Sequence, residues 1–460
     1  MYILSFQFII FVSVIYILSL FTRGKGRKLL ILSANLLYLL SFGNLFHLIW
    51  LMAVILISYA GSLWIEKSKS RTSLILSIVP VVVSLLFFKY SYVFGLDNLI
   101  VPLGISFYTF KIISYLVDLY QKKDYVHGFL DYLIYVSFFP VFTAGPILRS
   151  RSFFEQLTSE NQLNYQRMKN AAVQCAFGMF EKIVIADYLS IVCNLILDNH
   201  QLNGLSVAIG VILYSFHIYT DFDAYSNIAI GISGLLGFEI KRNFYTPYLS
   251  ASIIEFWNRW HISLSSWLKD YIYIPLGGNR KGHLRKYLNI FCVFLVSGLW
   301  HGSTICFLIW GVGHGILNVI ENVIKFACRK LKWFKFVRFF GKIFGIIINF
   351  SFVSFLWIFF RSSGIHEAVD VIQRMFVFNA TEFNYELIGI TVREGYWLIV
   401  LIATIIITDI FRNKTDMVVW LSKRNVFIRW TIYTLAIVLV IIFGVYGPGY
   451  NASDFIYASF

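Results

Sequence analysis

Long apolar segments recur through this sequence, and they constrain the fold more than any other feature does. Residues 2–21, 45–65 and 73–95 are runs of about 20 residues, the length at which a helix crosses roughly 30 Å of hydrocarbon. Charged residues make up only 14% of the chain, whereas soluble domains carry about 25%. The runs lack the alternating polarity of membrane-spanning strands. Helices therefore have to satisfy the backbone in lipid, and we expect an all-α, polytopic membrane protein.

Basic residues cluster in loops between alternate apolar runs. Examples are RGKGRK (Arg23 to Lys28), EKSKSR (Glu66 to Arg71) and QKKD (Gln121 to Asp124). Because cytoplasmic loops are enriched in Lys and Arg, we place these loops in the cytoplasm and both termini outside, with about 10–12 spanning helices. Residues 2–21 lack a basic start and a cleavage site, which favours a retained span over a signal peptide. We expect one integral membrane domain over residues 1–460.

The formal net charge of +15 has two interpretations. Nucleic-acid binding is one, but the basic residues fall in short loops, as expected for cytoplasmic loops of a membrane protein. We therefore expect no nucleic-acid partner. The five cysteines show no metal-type spacing and lie mostly in apolar runs, so we interpret them as packing residues.

Two segments interrupt the simple pattern of apolar runs. Phe138 to Phe154 holds two prolines and a glycine in a stretch too short to span, which favours either a re-entrant or interfacial segment or a surface loop. The long run 205–236 carries His217, Asp221 and Asp223 in its middle. Charged groups are costly against lipid, so these side chains should face a wet cavity or belong to a buried structural network.

The stretch from Ser252 to Gly302 is the densest in candidate functional residues. It begins SIIEFWNRWHISLSSWLKDYIYIPLGGNRKG, in which Ser252 and Glu255 fit a helix capping box. Helical spacing places Trp257, His261, Leu264 and Leu268 on one face. Pro275 and Gly277–Gly278 should end this helix, and its aromatic and charged residues suit a position at the membrane interface.

A second histidine, His301, follows in the motif SGLWHG. We predict a span over residues 287–310 and a return over 311–328, which places His301 roughly 21 Å from the basic end of its span. An imidazole can accept and return a proton near neutral pH, and glycines beside His301 would leave room for a substrate. The alternatives are a buried histidine that is merely hydrogen-bonded and a metal ligand. No third His or Cys stands at ligand spacing, which argues against the metal.

Several motifs now point to a known family. FWNRWHISLSSWLKDYIYIPLGGNR (Phe256 to Arg280), SGLWHG (Ser297 to Gly302), PLGISFYTFKIISYLVDLY (Pro102 to Tyr120), FPVFTAGPI (Phe139 to Ile147) and YTDFDAYSNIAIGISGLLGF (Tyr219 to Phe238) are the main ones. Together with WIFFR later in the chain, they resemble the membrane-bound O-acyltransferase family, in the branch of the alginate O-acetylation membrane subunit. The similarity spans most of the chain.

The resemblance implies roles for particular residues. The family's catalytic histidine follows the Trp of a WHG-type motif and falls on His301, and its upstream His or Asn position falls on His261. Re-entrant or interfacial helices would surround a central tunnel. The tunnel and substrate candidates are Trp300, Trp260, Tyr219, Asp221, Asp223, Asn258 and Arg259. Arg280 and Lys281 are candidates for attracting the donor's phosphates, although a cytoplasmic loop needs no ligand to explain its basic residues.

The resemblance also implies substrates and partners. The acyl donor would be a thioester such as acetyl-CoA, with no resident cofactor, and the acceptor a hydroxyl of a cell-surface or exported polysaccharide. A separate exported protein would complete the transfer outside the bacterial cytoplasmic membrane. The alternatives are D-alanyl transfer to teichoic acids, whose enzymes share FWNRWH, a polysaccharide or ion transporter, and a structural anchor. A transporter would show inverted repeats, and we find none.

Overall fold

The computed structural model describes residues 3–96, 99–159, 164–327, 338–377, 385–446 and 455–456. Within these ranges, seven helices are long and apolar enough to cross a membrane. They are α3 (Leu45–Ser68), α4 (Arg71–Lys89), α10 (Leu205–Leu235), α14 (Ile305–Ala327), α15 (Arg338–Arg361), α18 (Val392–Arg412) and α20 (Val426–Phe443). The prediction of an all-α, polytopic membrane protein is confirmed.

The remaining helices are shorter or more polar. They are α1 (Phe6–Phe21), α2 (Gly24–Leu40), α5 (Ile105–Tyr120), α6 (Phe129–Ser137), α7 (Ser150–Thr158), α8 (Tyr165–Phe180), α9 (Asp187–Leu197), α11 (Ile253–Arg259), α12 (Ile262–Leu268), α13 (Gly282–His301), α16 (Ile365–Met375), α17 (Tyr385–Ile388) and α19 (Met417–Ser422). The sequence predicted about 10–12 spans, more than the seven that meet both criteria in the described ranges. Part of the difference is that α1, α2 and α5 are only 16, 17 and 16 residues long.

The chain forms two compact units. Unit 1 contains Met1–Phe177, Tyr225–Arg242 and Asn451–Phe460, and unit 2 contains Gly178–Ala224 and Asn243–Tyr450. Both candidate histidines, His261 and His301, belong to unit 2. The prediction of one domain over residues 1–460 stays a prediction.

In unit 1, the segment predicted to be re-entrant or a surface loop is irregular and buried. A short 3-10 helix, Phe139–Val141, is followed by non-helical backbone up to α7. Phe138, Phe142 and Ala144 are fully buried. Irregular backbone at membrane depth is tolerated where protein surrounds it, so the burial favours the re-entrant interpretation over the surface loop.

In unit 2, the charged side chains of α10 are paired. The Lys182 ammonium lies 2.6 Å from Asp221 Oδ1 and 2.7 Å from Asp187 Oδ1. Lys182 stands in a π-helical segment, Glu181–Ala186, that joins α8 to α9. Since an unpaired charge inside a membrane protein is costly, this triad supports α10 as a buried helix.

A second buried pair joins α10 to α18 within unit 2. Arg412 Nη1 lies 2.6 Å from Asp223 Oδ2, and the Tyr219 hydroxyl donates a 2.8 Å hydrogen bond to Asp409. All four side chains are buried. These contacts tie the C-terminal end of α18 to the middle of α10.

Two glycines allow α13 and α14 to pack closely as an antiparallel hairpin. A Cβ atom at Gly298 would lie 2.5 Å from the carbonyl oxygen of Phe307, and one at Gly311 would lie 2.5 Å from that of Phe294. Small residues at helix contacts are the usual means by which membrane helices approach each other. The hairpin fixes the end of α13, where His301 stands.

Substituting Gly311 with Ala is expected to destabilise the protein by about 1–3 kcal/mol, because the new methyl group meets backbone atoms that have little freedom to move. The measurement is the thermal unfolding midpoint in detergent. Gly26→Ala is the matched control, since the nearest atom to a Cβ there is 3.9 Å away. Equal midpoints for the two variants would contradict the close contact.

Substituting Asp223 with Leu is expected to cost about 3–5 kcal/mol, because it leaves the Arg412 guanidinium buried without its closest carboxylate. The double variant Asp223→Leu/Arg412→Met should unfold at a higher temperature than Asp223→Leu alone. Glu155→Leu is the control, since its pair with Arg151 is solvent-exposed and such pairs contribute about 0–1 kcal/mol. Additive effects of the Asp223 and Arg412 substitutions would show that the pair is not coupled.

Candidate active site

His301 is the last residue of α13, and its side chain is 2% exposed. Its ring centroid lies 4.9 Å from that of Trp310 and 5.2 Å from that of Phe360, both edge-to-face. The prediction of one span over residues 287–310 is wrong, because α13 ends at His301 and α14 begins at Ile305. Gly302 adopts extended backbone and stops the helix. His301 thus stands at a helix end inside the aromatic packing.

The glycines beside His301 serve a different purpose from the one predicted. A Cβ atom at Gly302 would lie 2.0 Å from ring atoms of Phe307, and one at Gly298 would meet the Phe307 carbonyl oxygen. The space that we expected to admit a substrate is filled by Phe307. Absence of a side chain at these positions allows the start of α14 to pack against the end of α13.

His261 lies between two short helices, where the sequence predicted one continuous helix. α11 ends at Arg259, α12 begins at Ile262, and His261 has left-handed backbone with φ of 41°. The break has a cause outside the local sequence. Asn243 Oδ1 accepts hydrogen bonds from the backbone N–H and hydroxyl of Ser263, and the Asn243 carbonyl accepts from the Ile262 N–H at 2.8 Å.

Only half of the capping box predicted for Ser252 and Glu255 forms, because the Glu255 carboxylate accepts from the Ala251 N–H at 2.9 Å and not from the Ser252 N–H. Ser252 is the N-cap of α11, and its hydroxyl accepts a hydrogen bond from the Glu255 N–H at 3.2 Å. The helical backbone ends after a π-helical turn, Lys269–Tyr273, just before the predicted Pro275 and glycine stop. Local chemistry therefore sets both ends of this segment, whereas Asn243 sets its break.

The same asparagine orients the His261 imidazole. His261 Nδ1 lies 3.2 Å from Asn243 Oδ1, a carbonyl oxygen that only accepts, so Nδ1 donates. In the neutral ring the lone pair is then on Nε2. His261 is outside the seven spanning helices and fully buried, and burial lowers the pKa of its imidazole far below the usual value. Asn243 was not predicted as a residue of the candidate site, because it carries no local motif and is 18 residues away from His261.

The two histidines are linked through Trp300. The Trp300 ring centroid lies 4.7 Å from that of His301 and 6.2 Å from that of His261. Trp300 is buried, as is Trp260, whose ring packs 5.0 Å from both Phe244 and Trp357. The structure thus brings both histidines and both predicted tryptophans into the aromatic core of unit 2.

The other predicted residues occupy different surroundings. Tyr219 packs 6.2 Å from Trp260, while Asp221 and Asp223 are held in the ion pairs described above. This pairing favours the structural network considered from the sequence, and a tunnel-lining role stays a prediction. Asn258 is exposed, and Arg259 bonds to Glu255 at 2.7 Å and to Thr246 Oγ1 at 2.9 Å.

Arg280 and Lys281 are exposed in the loop before α13. His301 is at the opposite end of that helix, and 20 residues of α-helix measure about 30 Å. These cations therefore do not belong to the immediate surroundings of His301. Their attraction of the donor's phosphates stays a prediction.

Most of the chain matches a known protein family. The model of the membrane-bound O-acyltransferase family matches residues 35–365. The probable alginate O-acetylase AlgI of Pseudomonas syringae pv. tomato is 36% identical over 62% of this chain, but the match covers 54% of that protein, so the chain spans about half its length.

Two further relatives are named for other polymers. The peptidoglycan O-acetyltransferase of Helicobacter pylori is 34% identical over 74% of this chain and 72% of its own length. The teichoic acid D-alanyltransferase of Bacillus subtilis is 30% identical over 58% of this chain and 71% of its own length. The family match covers most of the chain, including the segments that carry His261 and His301. The resemblance inferred from the motifs is confirmed: the chain belongs to the membrane-bound O-acyltransferase family.

Proposed function

We propose that the chain is an O-acyltransferase that moves an acyl group, most simply acetyl, from a cytosolic thioester such as acetyl-CoA to hydroxyls of a cell-surface or exported polysaccharide. Family membership supports the reaction class, and relatives named for alginate and peptidoglycan acetylation support a hydroxyl-bearing polymer. The observation that carries the proposal is the burial of His301 among aromatic side chains, with Trp300 packed against both His301 and His261.

His301 is the general base in this proposal. Its imidazole removes the proton of the acceptor hydroxyl as the oxygen attacks the carbonyl carbon of the thioester. The new C–O bond forms, the C–S bond breaks, and the leaving thiolate takes up the proton that His301 accepted. The products are an ester and a free thiol, and His301 returns to its neutral form.

His261 orients or polarises the reacting groups rather than acting as a second base. Asn243 fixes its ring through Nδ1, so Nε2 presents an acceptor in a fixed direction. Burial keeps the ring neutral, which suits hydrogen bonding to a hydroxyl. The Trp300 ring packs against both imidazoles and would hold them at a fixed separation.

The arrangement of the loops supports transfer across a bacterial cytoplasmic membrane. In this proposal the donor side is in the cytosol and both termini are outside, an orientation that the enrichment of Lys and Arg in alternate loops supports. The polymer is extracytoplasmic, so the acyl group would leave through the tunnel expected for the family. A separate exported acetyltransferase or acceptor protein would then complete the transfer.

Replacing His301 with Ala is expected to lower polymer-bound acetate by about 10²–10⁴-fold, because the hydroxyl loses its proton acceptor. The measurement is acetate released by mild alkali from polymers of a deletion strain that carries the variant, at matched protein level. His366→Ala is the control, since this histidine is exposed on α16. Normal acetate in the His301→Ala strain would reject the proposal.

The same assay separates the two acyl groups under consideration. If alkali releases D-alanine instead of acetate, in a manner that depends on His301, the chain acts as its teichoic acid relatives are named to act. Mass spectrometry of the polymer identifies the acyl group directly.

Reversing the charge of Arg280 and Lys281 together, both to Glu, is expected to slow acyl transfer roughly tenfold at limiting acetyl-CoA, because basic loops raise the local concentration of anions. The loss should shrink at high salt, where exposed charges are screened. Initial rates in inside-out membrane vesicles measure both effects. Lys423→Glu/Arg424→Glu, in another exposed basic loop, is the control. Equal rates for the two double variants would show that the Arg280 loop does not attract the donor.

A further inference from the structure

Two residues of α14 next to His301 have no role in the mechanism above. Trp310 and His314 are one helical turn apart, and both side chains are fully buried. Their ring centroids are 5.1 Å apart, and that of Trp310 is 4.9 Å from that of His301. Trp310 therefore packs against the proposed base, and His314 packs against Trp310.

Each of these residues carries a buried polar atom without a hydrogen-bond partner among the described residues. Trp310 Nε1 and His314 Nε2 have no hydrogen-bond partner in the part of the chain that the structure describes. A buried unsatisfied polar atom costs about 1–3 kcal/mol, and native proteins leave few of them. Two on neighbouring rings beside a candidate base are the pattern expected where a substrate supplies the missing acceptors.

The hydrogen-bonding partner of His314 determines what its Nε2 atom can do. Trp257 Nε1 lies 3.3 Å from His314 Nδ1, and an indole nitrogen only donates. Nδ1 is therefore the acceptor, and the proton of the neutral ring is on Nε2. Both unsatisfied atoms, on Trp310 and His314, are consequently N–H donors.

Two neighbouring tryptophans, Trp257 and Trp357, differ from Trp310 in that their indole N–H groups have acceptors. Trp357 stacks on Trp310 at 5.7 Å, and its Nε1 donates to the Tyr248 hydroxyl at 3.1 Å. The Trp257 indole likewise has its acceptor on His314. The indoles of Trp257 and Trp357 thus have acceptors within the protein, whereas the Trp310 indole has none in the described ranges of the chain.

Acyl transfer needs donors of this kind. When the hydroxyl attacks, the π electrons of the carbonyl move onto its oxygen, and buried N–H groups stabilise that charge far better than they stabilise the neutral carbonyl. We propose that Trp310 Nε1–H and His314 Nε2–H donate hydrogen bonds to the acyl carbonyl oxygen as it becomes an oxyanion. The inference rests on the proposed function, in which His301 takes the hydroxyl proton. The oxyanion then collapses and expels the thiolate.

The test compares two tryptophans of the same cluster. Trp310→Phe and Trp357→Phe remove the same atoms, but only Trp357→Phe breaks a hydrogen bond within the protein. Trp310→Phe should therefore unfold at a higher temperature than Trp357→Phe and yet be less active. We expect Trp310→Phe and His314→Phe each to lower the rate of polymer acylation by about 10²–10³-fold, and Trp357→Phe by less than about tenfold.

A conservative variant completes the experiment. His314→Gln retains an acceptor and an N–H donor and should recover part of the activity lost in His314→Phe. Rates are measured as ester-bound acetate and D-alanine in the complemented deletion strain, and stability as the unfolding midpoint of each purified full-length variant.

The outcomes are distinguishable. If Trp310→Phe and His314→Phe act at nearly wild-type rates while His301→Ala is inactive, the oxyanion assignment is wrong and the proposed function stands. If Trp310→Phe and His314→Phe lose no more activity than Trp357→Phe does for the same decrease in unfolding midpoint, the two residues contribute only to packing. The oxyanion assignment is then equally wrong. If His301→Ala is fully active, the proposed function fails first.

Discussion

The backbones of α13 and α14 meet at Gly298 and Gly311, and the position of His301 follows from that contact. A side chain at either glycine would push the helices apart, and the edge-to-face contact of His301 with Trp310 would open with them. Gly302 extends the same constraint past the helix end, where Phe307 fills the space of a Cβ atom. Stability and the geometry of the candidate site therefore depend on the same backbone contacts.

The buried polar groups described in unit 2 fall into two classes, those paired within the protein and those without a partner in the described part of the chain. Away from His301, charges are neutralised by the protein itself, as in the pairs of Lys182 with Asp221 and Arg412 with Asp223. Around His301 the side chains are aromatic, and the donors of Trp310 and His314 have no acceptor in the described part of the chain. In low-dielectric surroundings of this kind, a hydrogen bond to either donor would be stronger than it is in water.

The sequence allowed the fold class, the family and many helices to be predicted, because apolar length, capping and the motifs are local signals. The roles of His261 and His301 stay predictions. Ser252 capped its helix as expected. The break at His261 was missed because Asn243, far away in the sequence, takes the hydrogen bonds of Ile262 and Ser263. The helix end at His301 was missed although Gly302 stands directly after it, because the apolar run resumes at Ile305 and continues to Trp310. The pairing of Asp221 and Asp223 could not be chosen from the sequence either, since composition does not reveal which cation faces a buried acid.

The left-handed backbone at position 261 restricts which amino acids can occupy it. A β-branched or bulky residue in that conformation is strained, whereas asparagine and histidine enter it more readily than most others. The motif resemblance implies histidine or asparagine at this position, and both of these residue types meet the steric demand of the main chain. The backbone conformation thus limits which amino acids position 261 can hold, whatever role its side chain has.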